Sequence, residues 1–170
     1  MSFIETDRLL IRAWMPADVD ALADILADAP TMRYIGTGYL RGLTREEVAG
    51  MVARFTEVYE KSGLGIWPVV LKEDGRLVGQ CGLFPVPDVS GDVEVAYIFD
   101  RNARGNGYAT EAARAVMEFG FARRRLKKIV AFVHQANAPS VAVVNRLGMR
   151  FERVMRIYKT DALRYVKEGP

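Results

Sequence analysis

The chain has few of the residues that build metal centres and covalent cross-links. Its 170 residues include one cysteine, Cys81, and one histidine, His134. A lone cysteine excludes an intrachain disulfide and a cysteine-based zinc site, and His134 has no partners nearby in sequence for metal ligation. No metal is expected. Cys81 sits inside an apolar run, which suits a buried structural thiol. Long apolar runs are also missing. None reaches the roughly 18 residues that cross a bilayer, and nothing at the N-terminus resembles a signal peptide. The expectation is a cytoplasmic protein with no membrane partner. Dense basic blocks are absent too. The net charge is +3, and Arg123-Arg124-Arg125 and Lys127-Lys128 stand at a helix end, where cations complement the macrodipole. Nucleic acid is therefore not an expected partner.

What is present is ordinary for a folded chain, with 50% apolar and 26% charged residues. The length suits one domain over residues 1–170. Leu9 to Ala13 alternates as a strand. Val19, Leu22, Ala23, Ile25 and Leu26 have helical spacing over Asp18 to Ala29, and Pro30 is expected to stop that helix. Thr31 to Leu43 has no sustained period and reads as loop with at most one short turn. Thr44-Arg45-Glu46-Glu47 is a capping box that opens a second helix. Ile66–Leu71 and Leu77–Leu83 read as a hairpin through Glu73-Asp74-Gly75. Val93–Phe99 is a strand, Tyr108–Arg124 a helix, Ile129–Val133 an apolar strand and Asn137–Leu147 a short helix. Phe151–Tyr158 and Ala162–Val166 are closing strands joined near Thr160-Asp161. The order predicts a mixed α/β fold: an antiparallel meander, then a β-α-β unit.

Between the Val93–Phe99 strand and its helix lies Arg104-Gly105-Asn106-Gly107-Tyr108-Ala109-Thr110. A glycine turn that opens a helix is an anion site, because glycines admit the ligand and the first-turn N–H groups point at it. No lysine follows the glycines, as a nucleoside triphosphate loop would need. Thr110 stands where a dinucleotide fingerprint needs a third small residue, and no carboxylate lies about 20 positions on for the ribose. A structural turn with no ligand stays open.

The remaining pattern, Arg-x-x-Gly-x-Ala over Arg104 to Ala109, resembles the coenzyme A pyrophosphate loop of the GNAT acetyltransferase superfamily. Three further stretches are similar to the family. Asn137-Ala138-Pro139-Ser140 with Asn145 to Phe151 looks like its second cofactor motif, and Glu94-Val95-Ala96-Tyr97 like its central strand. Glu5-Thr6-Asp7-Arg8-Leu9-Leu10-Ile11-Arg12 resembles the subgroup of ribosomal-protein N-terminal acetyltransferases. The resemblance implies a mixed, largely antiparallel sheet flanked by helices, with the strands Val93–Phe99 and Ile129–Val133 splayed around the pantetheine arm.

The resemblance also implies a division of roles. Backbone N–H groups of Gly105 to Thr110 would hold the pyrophosphate of acetyl-CoA, with Asn106 and Tyr108 acting through backbone alone. Arg104 would add charge there or be a solvated arginine. Ile98 and Phe99 would face the pantetheine, and Asn137 would bond it or cap its helix. Glu94 is the candidate base, or an ordinary outward carboxylate. Ser140 is the candidate acid for the leaving thiolate, or a helix N-terminal hydroxyl; Tyr97 and Tyr158 are alternatives for proton transfer. The tyrosine that many members carry seven residues after the motif asparagine is Val144 here. Trp14, Met32, Arg33, Tyr34, Tyr39 and Arg41 would form the acceptor rim. The implied activity is acetyl transfer from acetyl-CoA to a primary amine, either a peptide N-terminus or a small molecule. The alternative is a non-catalytic acyl-CoA-binding or regulatory protein. Oligomeric state is open, and base rates alone point to a homodimer.

Overall fold

The computed structural model describes residues 2–35, 42–87, 89 and 91–170. Strands β1 (Ser2–Glu5) and β2 (Leu9–Arg12) lead to α1 (Asp18–Ala27), α2 (Ala29–Met32) and α3 (Arg45–Ser62). Then come β3 (Gly65–Leu71), β4 (Leu77–Pro85), β5 (Val93–Phe99), a 3-10 turn (Arg101–Ala103) and α4 (Tyr108–Arg124). The chain closes with β6 (Lys128–His134), α5 (Ala138–Arg146), β7 (Arg150–Ile157) and β8 (Thr160–Glu168).

Eight strands form one sheet in the order β1-β2-β3-β4-β5-β6-β8-β7. Every neighbouring pair is antiparallel except β5 and β6. This is the expected mixed, largely antiparallel sheet. Its parallel pair comes from the β5-α4-β6 crossover.

Helices cover both faces. One face of the sheet packs on α4 and α5 through Cys81, Leu83, Ala113, Val116, Ile129 and Val144. On the other face, Leu77 and Ile98 pack on Leu22, Leu26, Val48 and Val52 from α1 and α3. A smaller cluster there joins Val86, Val130, Ile157 and Val166. Burial on both faces explains why β3 is buried along its whole length and reads as an unbroken apolar run.

Three expectations are corrected. β1 is paired to β2 although it carries too short a pattern to register in sequence. Pro30 does not simply end the first helix. α1 stops at Ala27, Asp28 turns extended, and its carboxylate accepts from the Thr31 N–H. Pro30 then sits in the first turn of α2, where its missing N–H costs nothing. The last hairpin turns at Tyr158-Lys159 and not near Thr160-Asp161. Both turn residues are left-handed, at φ 50° and 62°. Two-residue hairpins favour that geometry, but it is usually written Asn-Gly. Thr160-Asp161 carries the turn chemistry but opens β8.

Candidate active site

β5 and β6 are in register at one pair alone, Glu94 with Val130. β5 is paired to β4 along its whole length, from Val93 to Phe99, and β6 to β8 likewise. The two strands therefore part beyond Glu94 and leave a gap in mid-sheet.

Side chains alternate across a strand, so β5 serves both faces. Ile98 is 8% exposed and packs on the α1–α3 face, while Phe99 is 7% exposed and packs on the α4 face. Their side chains are committed to the two cores, and what they offer the gap is backbone. Glu94 shares the Ile98 face, whereas Tyr97 shares the Phe99 face.

Glu94 sits where the strands part. The Tyr158 hydroxyl donates to its Oε2 at 2.6 Å, across 64 residues of sequence. The Phe132 N–H of β6 lies close enough to favour the ionised carboxylate, although no hydrogen bond of ordinary geometry joins them. Burial pushes the Glu94 carboxyl up to about 7, against the Tyr158 hydrogen bond and that N–H, which favour the ionised form. The carboxylate keeps partial solvent access at the surface, so it is desolvated without being sealed off. A group poised near 7 can take a proton and return it at neutral pH.

Ser140 lies on the other face. Asn137 caps α5, its Oδ1 accepting from the Ser140 N–H at 3.3 Å. The capping reading of Asn137 therefore holds, and the Ser140 hydroxyl is not spent on it. That hydroxyl faces the Tyr97 phenol, close enough to favour phenolate, yet no hydrogen bond of ordinary geometry joins them, and the buried Tyr97 Oη is left without a partner. Burial pushes the phenol up to about 12, so Tyr97 is a hydrogen-bond donor more than a proton source. Val144 is fully buried in the α4–α5 core and adds no polar group.

The glycine loop connects the 3-10 turn to α4. Gly105 and Gly107 have φ of 82° and 81°, in the left-handed region. A Cβ at Gly105 would meet nothing within 4 Å, so conformation and not crowding requires glycine there. Gly107 is the N-cap of α4 and supplies no capping side chain. Among the described residues, no hydrogen bond engages the N–H groups from Gly105 to Thr110. Asn106 does more than expected of backbone alone. Its Nδ2 donates to the carbonyls of Ala103 and Arg104 at 3.2 and 3.3 Å, which turns the loop carbonyls inward. Arg104 is not simply solvated, because its Nη2 donates to Thr31 Oγ1 at 3.1 Å and ties the loop to α2.

Arg8 and Glu111 brace the loop and were not singled out for it in sequence. Arg8 pairs with Glu111 at 2.5 Å, lies 4.7 Å over the Tyr108 ring, and has Nη2 3.6 Å from where a Gly107 Cβ would stand. No short-range pattern marks a pair 103 residues apart.

The expected rim is only partly assembled. Tyr34 stacks on His134 at the end of β6, with centroids 5.2 Å apart, and Arg33 lies 5.3 Å over Tyr34. His134 thus gains a place at the mouth that its solitary position in sequence did not suggest. Trp14 turns inward, its Nε1 donating to the Ile66 carbonyl at 2.8 Å. Met32 is 1% exposed in the α1–α3 core and offers no rim surface. Tyr39 and Arg41 lie outside the described residues. No group of three or more metal-ligating side chains occurs among the described residues.

Known proteins share this architecture. The family model described as an acetyltransferase (GNAT) domain matches residues 8–150. The uncharacterized N-acetyltransferase YnaD of Bacillus subtilis is 31% identical over 88% of this chain and 83% of its own. The crystal structure of a GNAT-family acetyltransferase from Bacillus anthracis superposes with a TM-score of 0.83 at 28% identity, covering 98% of both chains. RimL, a ribosomal L7/L12 alpha-N-protein acetyltransferase solved with coenzyme A, shares the fold at TM-score 0.82 and 16% identity over 96% of each chain. The splayed strand pair, the glycine loop and these likenesses agree: this chain belongs to the GNAT acetyltransferase family.

Proposed function

We propose that this acetyltransferase moves an acetyl group from acetyl-CoA to a primary amine, by direct attack within a ternary complex. The observation that carries this is the single register point between β5 and β6. Beyond it the strands leave backbone donors and acceptors unpaired, and the amides of a pantetheine arm would pair with them as an added strand does. The residues fit the rest of the molecule. Six successive loop N–H groups without partners suit a pyrophosphate, and the coenzyme A bound to RimL, of the same fold, supports the choice. The site residues are accordingly Gly105 to Thr110 for the pyrophosphate, with Arg104 and Arg8 adding charge beside it.

The reaction forms a C–N bond and breaks the thioester C–S bond. The amine loses a proton and the departing thiolate gains one. Glu94 takes the first proton, directly or through water. With its carboxyl near 7 it matches an α-amine, at roughly 7.7–8.0, better than a lysine, at about 10.4. A peptide N-terminus or a small amine of similar basicity is therefore the favoured acceptor. Ser140 hydrogen-bonds the departing sulfur and supplies its proton from the other face. Backbone N–H groups near Tyr97 and Ile98 stabilise the oxyanion. Glu94 and Tyr97 alternate across β5, so amine and thiol occupy opposite faces of the sheet and meet only through the gap. Among the described residues, no activated nucleophile offers a covalent route. Cys81 is fully buried and its thiol is pushed far up by desolvation.

Calorimetric titration with acetyl-CoA tests the cofactor. We expect saturable binding, lost in Gly107→Val, where a β-branched residue would have to adopt a left-handed φ. Equal binding by both proteins would remove the loop from the site. Thiol release with a panel of N-terminal peptides, amino acids, polyamines and aminoglycosides tests the acceptor. Release with polyamines alone would refute the α-amine preference.

A further inference from the structure

We propose that Tyr158, at the tip of the β7–β8 hairpin, is a positioning residue for Glu94, fixing one carboxylate oxygen so that the other faces the gap where the acceptor amine arrives. The inference rests on the reading of Glu94 as the base.

Three observations carry it. The first is the 2.6 Å bond from the Tyr158 hydroxyl to Glu94 Oε2. A hydrogen bond to a carboxylate is short and directional, so it selects one rotamer of a side chain that otherwise has several. The second is the turn that presents the phenol. Tyr158 and Lys159 are both left-handed, the geometry of a two-residue hairpin, so the tight turn fixes where the Tyr158 side chain leaves the backbone. The third is the packing of Phe132. Its ring meets the Tyr158 ring edge-on, with centroids 6.2 Å apart at 89°, so a residue of β6, the strand that lines the gap, braces the phenol. Tyr158 is 41% exposed, so it is a surface residue and not a core side chain.

The other groups facing Glu94 leave this role to Tyr158. From β4 the cross-strand neighbour is Phe84, which carries no charge. Just before β5, Asp92 binds Arg164 and Lys128. From β8, Arg164 is the cross-strand neighbour of Phe132, and its two terminal nitrogens are taken by Asp92 and Glu152. On β6, Val130, the register partner of Glu94, carries no charge. Among the described residues, Tyr158 is the titratable group bonded to Glu94.

Tyr158→Phe keeps the ring, the turn and the Phe132 contact, and removes one hydroxyl. The first measurement is carbon NMR of protein labelled in its glutamate carboxyls, titrated in the parent, in Tyr158→Phe and in Glu94→Gln, the last serving to assign the signal. It needs no acceptor. Loss of a donor to the ionised form should raise the Glu94 midpoint by about one pH unit, or about tenfold in proton affinity. An unmoved midpoint would overturn the inference. The second measurement is thiol release from acetyl-CoA with the amine panel at pH 6 and pH 9. Tyr158→Phe should lose about eightfold more activity at pH 6 than at pH 9. An equal loss at both would mean that the hairpin is merely structural, and would also overturn it. Full activity in Glu94→Gln would instead remove Glu94 as the base, while the NMR midpoint still reports whether Tyr158 holds it.

Discussion

Replacing Glu94 by glutamine should make this protein more stable at alkaline pH. The carboxyl titrates at 4.5 in an unconstrained chain and at about 7 in the fold, because burial disfavours its charge. The folded state therefore binds this proton more tightly than the unfolded state does. Its contribution is fully present below pH 4.5 and is lost as pH rises through 7, where the fold must accommodate an ionised carboxylate. The full difference corresponds to about 3.4 kcal/mol at about 1.36 kcal/mol per tenfold change in proton affinity. Partial solvent access screens part of this, which leaves about 1–2 kcal/mol. Glutamine keeps a carbonyl oxygen for the Tyr158 hydroxyl, and it never ionises. For a chain of this length, 1–2 kcal/mol moves the melting temperature by roughly 3–6 °C. Thermal unfolding followed by circular dichroism at pH 8 and pH 5 measures it. Glu94→Gln should melt higher than the parent at pH 8, and about three quarters of the advantage should vanish by pH 5. An advantage of equal size at both pH values, or a mutant that melts lower at pH 8, would refute the desolvated carboxylate.

Ser140→Ala should lower turnover by about tenfold or more and leave acetyl-CoA binding intact, because the α5 cap uses the Ser140 N–H, which alanine keeps. Unchanged turnover in the thiol-release assay would end the acid assignment. Lys159→Gly should stabilise the chain by about 0.5–1 kcal/mol in urea unfolding, since glycine adopts the left-handed turn position without strain; a lower midpoint would show that the turn carries no strain to relieve. Cys81 should resist a thiol reagent in the native protein and react once per chain on denaturation; labelling of the native state would contradict its burial.

Features written in short windows were legible before any fold was known. The Thr44–Glu47 capping box forms as the spacing implies, the Asn137 cap falls where its motif stands, and α4 begins at the glycine loop. Each depends on backbone preferences and on contacts three or four residues away. The failures were local patterns too weak or too ambiguous to read. β1 is four residues long, and the final turn is built from Tyr158-Lys159, residues that carry no turn preference.

The site divides in the same way. Its residue types and the glycine loop were determined by the sequence, because conformational freedom at Gly105 and Gly107 and unpaired first-turn N–H groups are properties of a short stretch. Only the tertiary structure decided which residues meet. Glu94 finds Tyr158 across 64 residues and Glu111 finds Arg8 across 103, through pairings that no local period encodes. The single β5–β6 register point set the gap, and strand alternation put Glu94 on one face and Tyr97 with Ser140 on the other. Register and facing follow from how the whole sheet packs against two layers of helices. A chain read a few residues at a time can name the chemical groups, but only the packed sheet determines on which side of the gap each one stands.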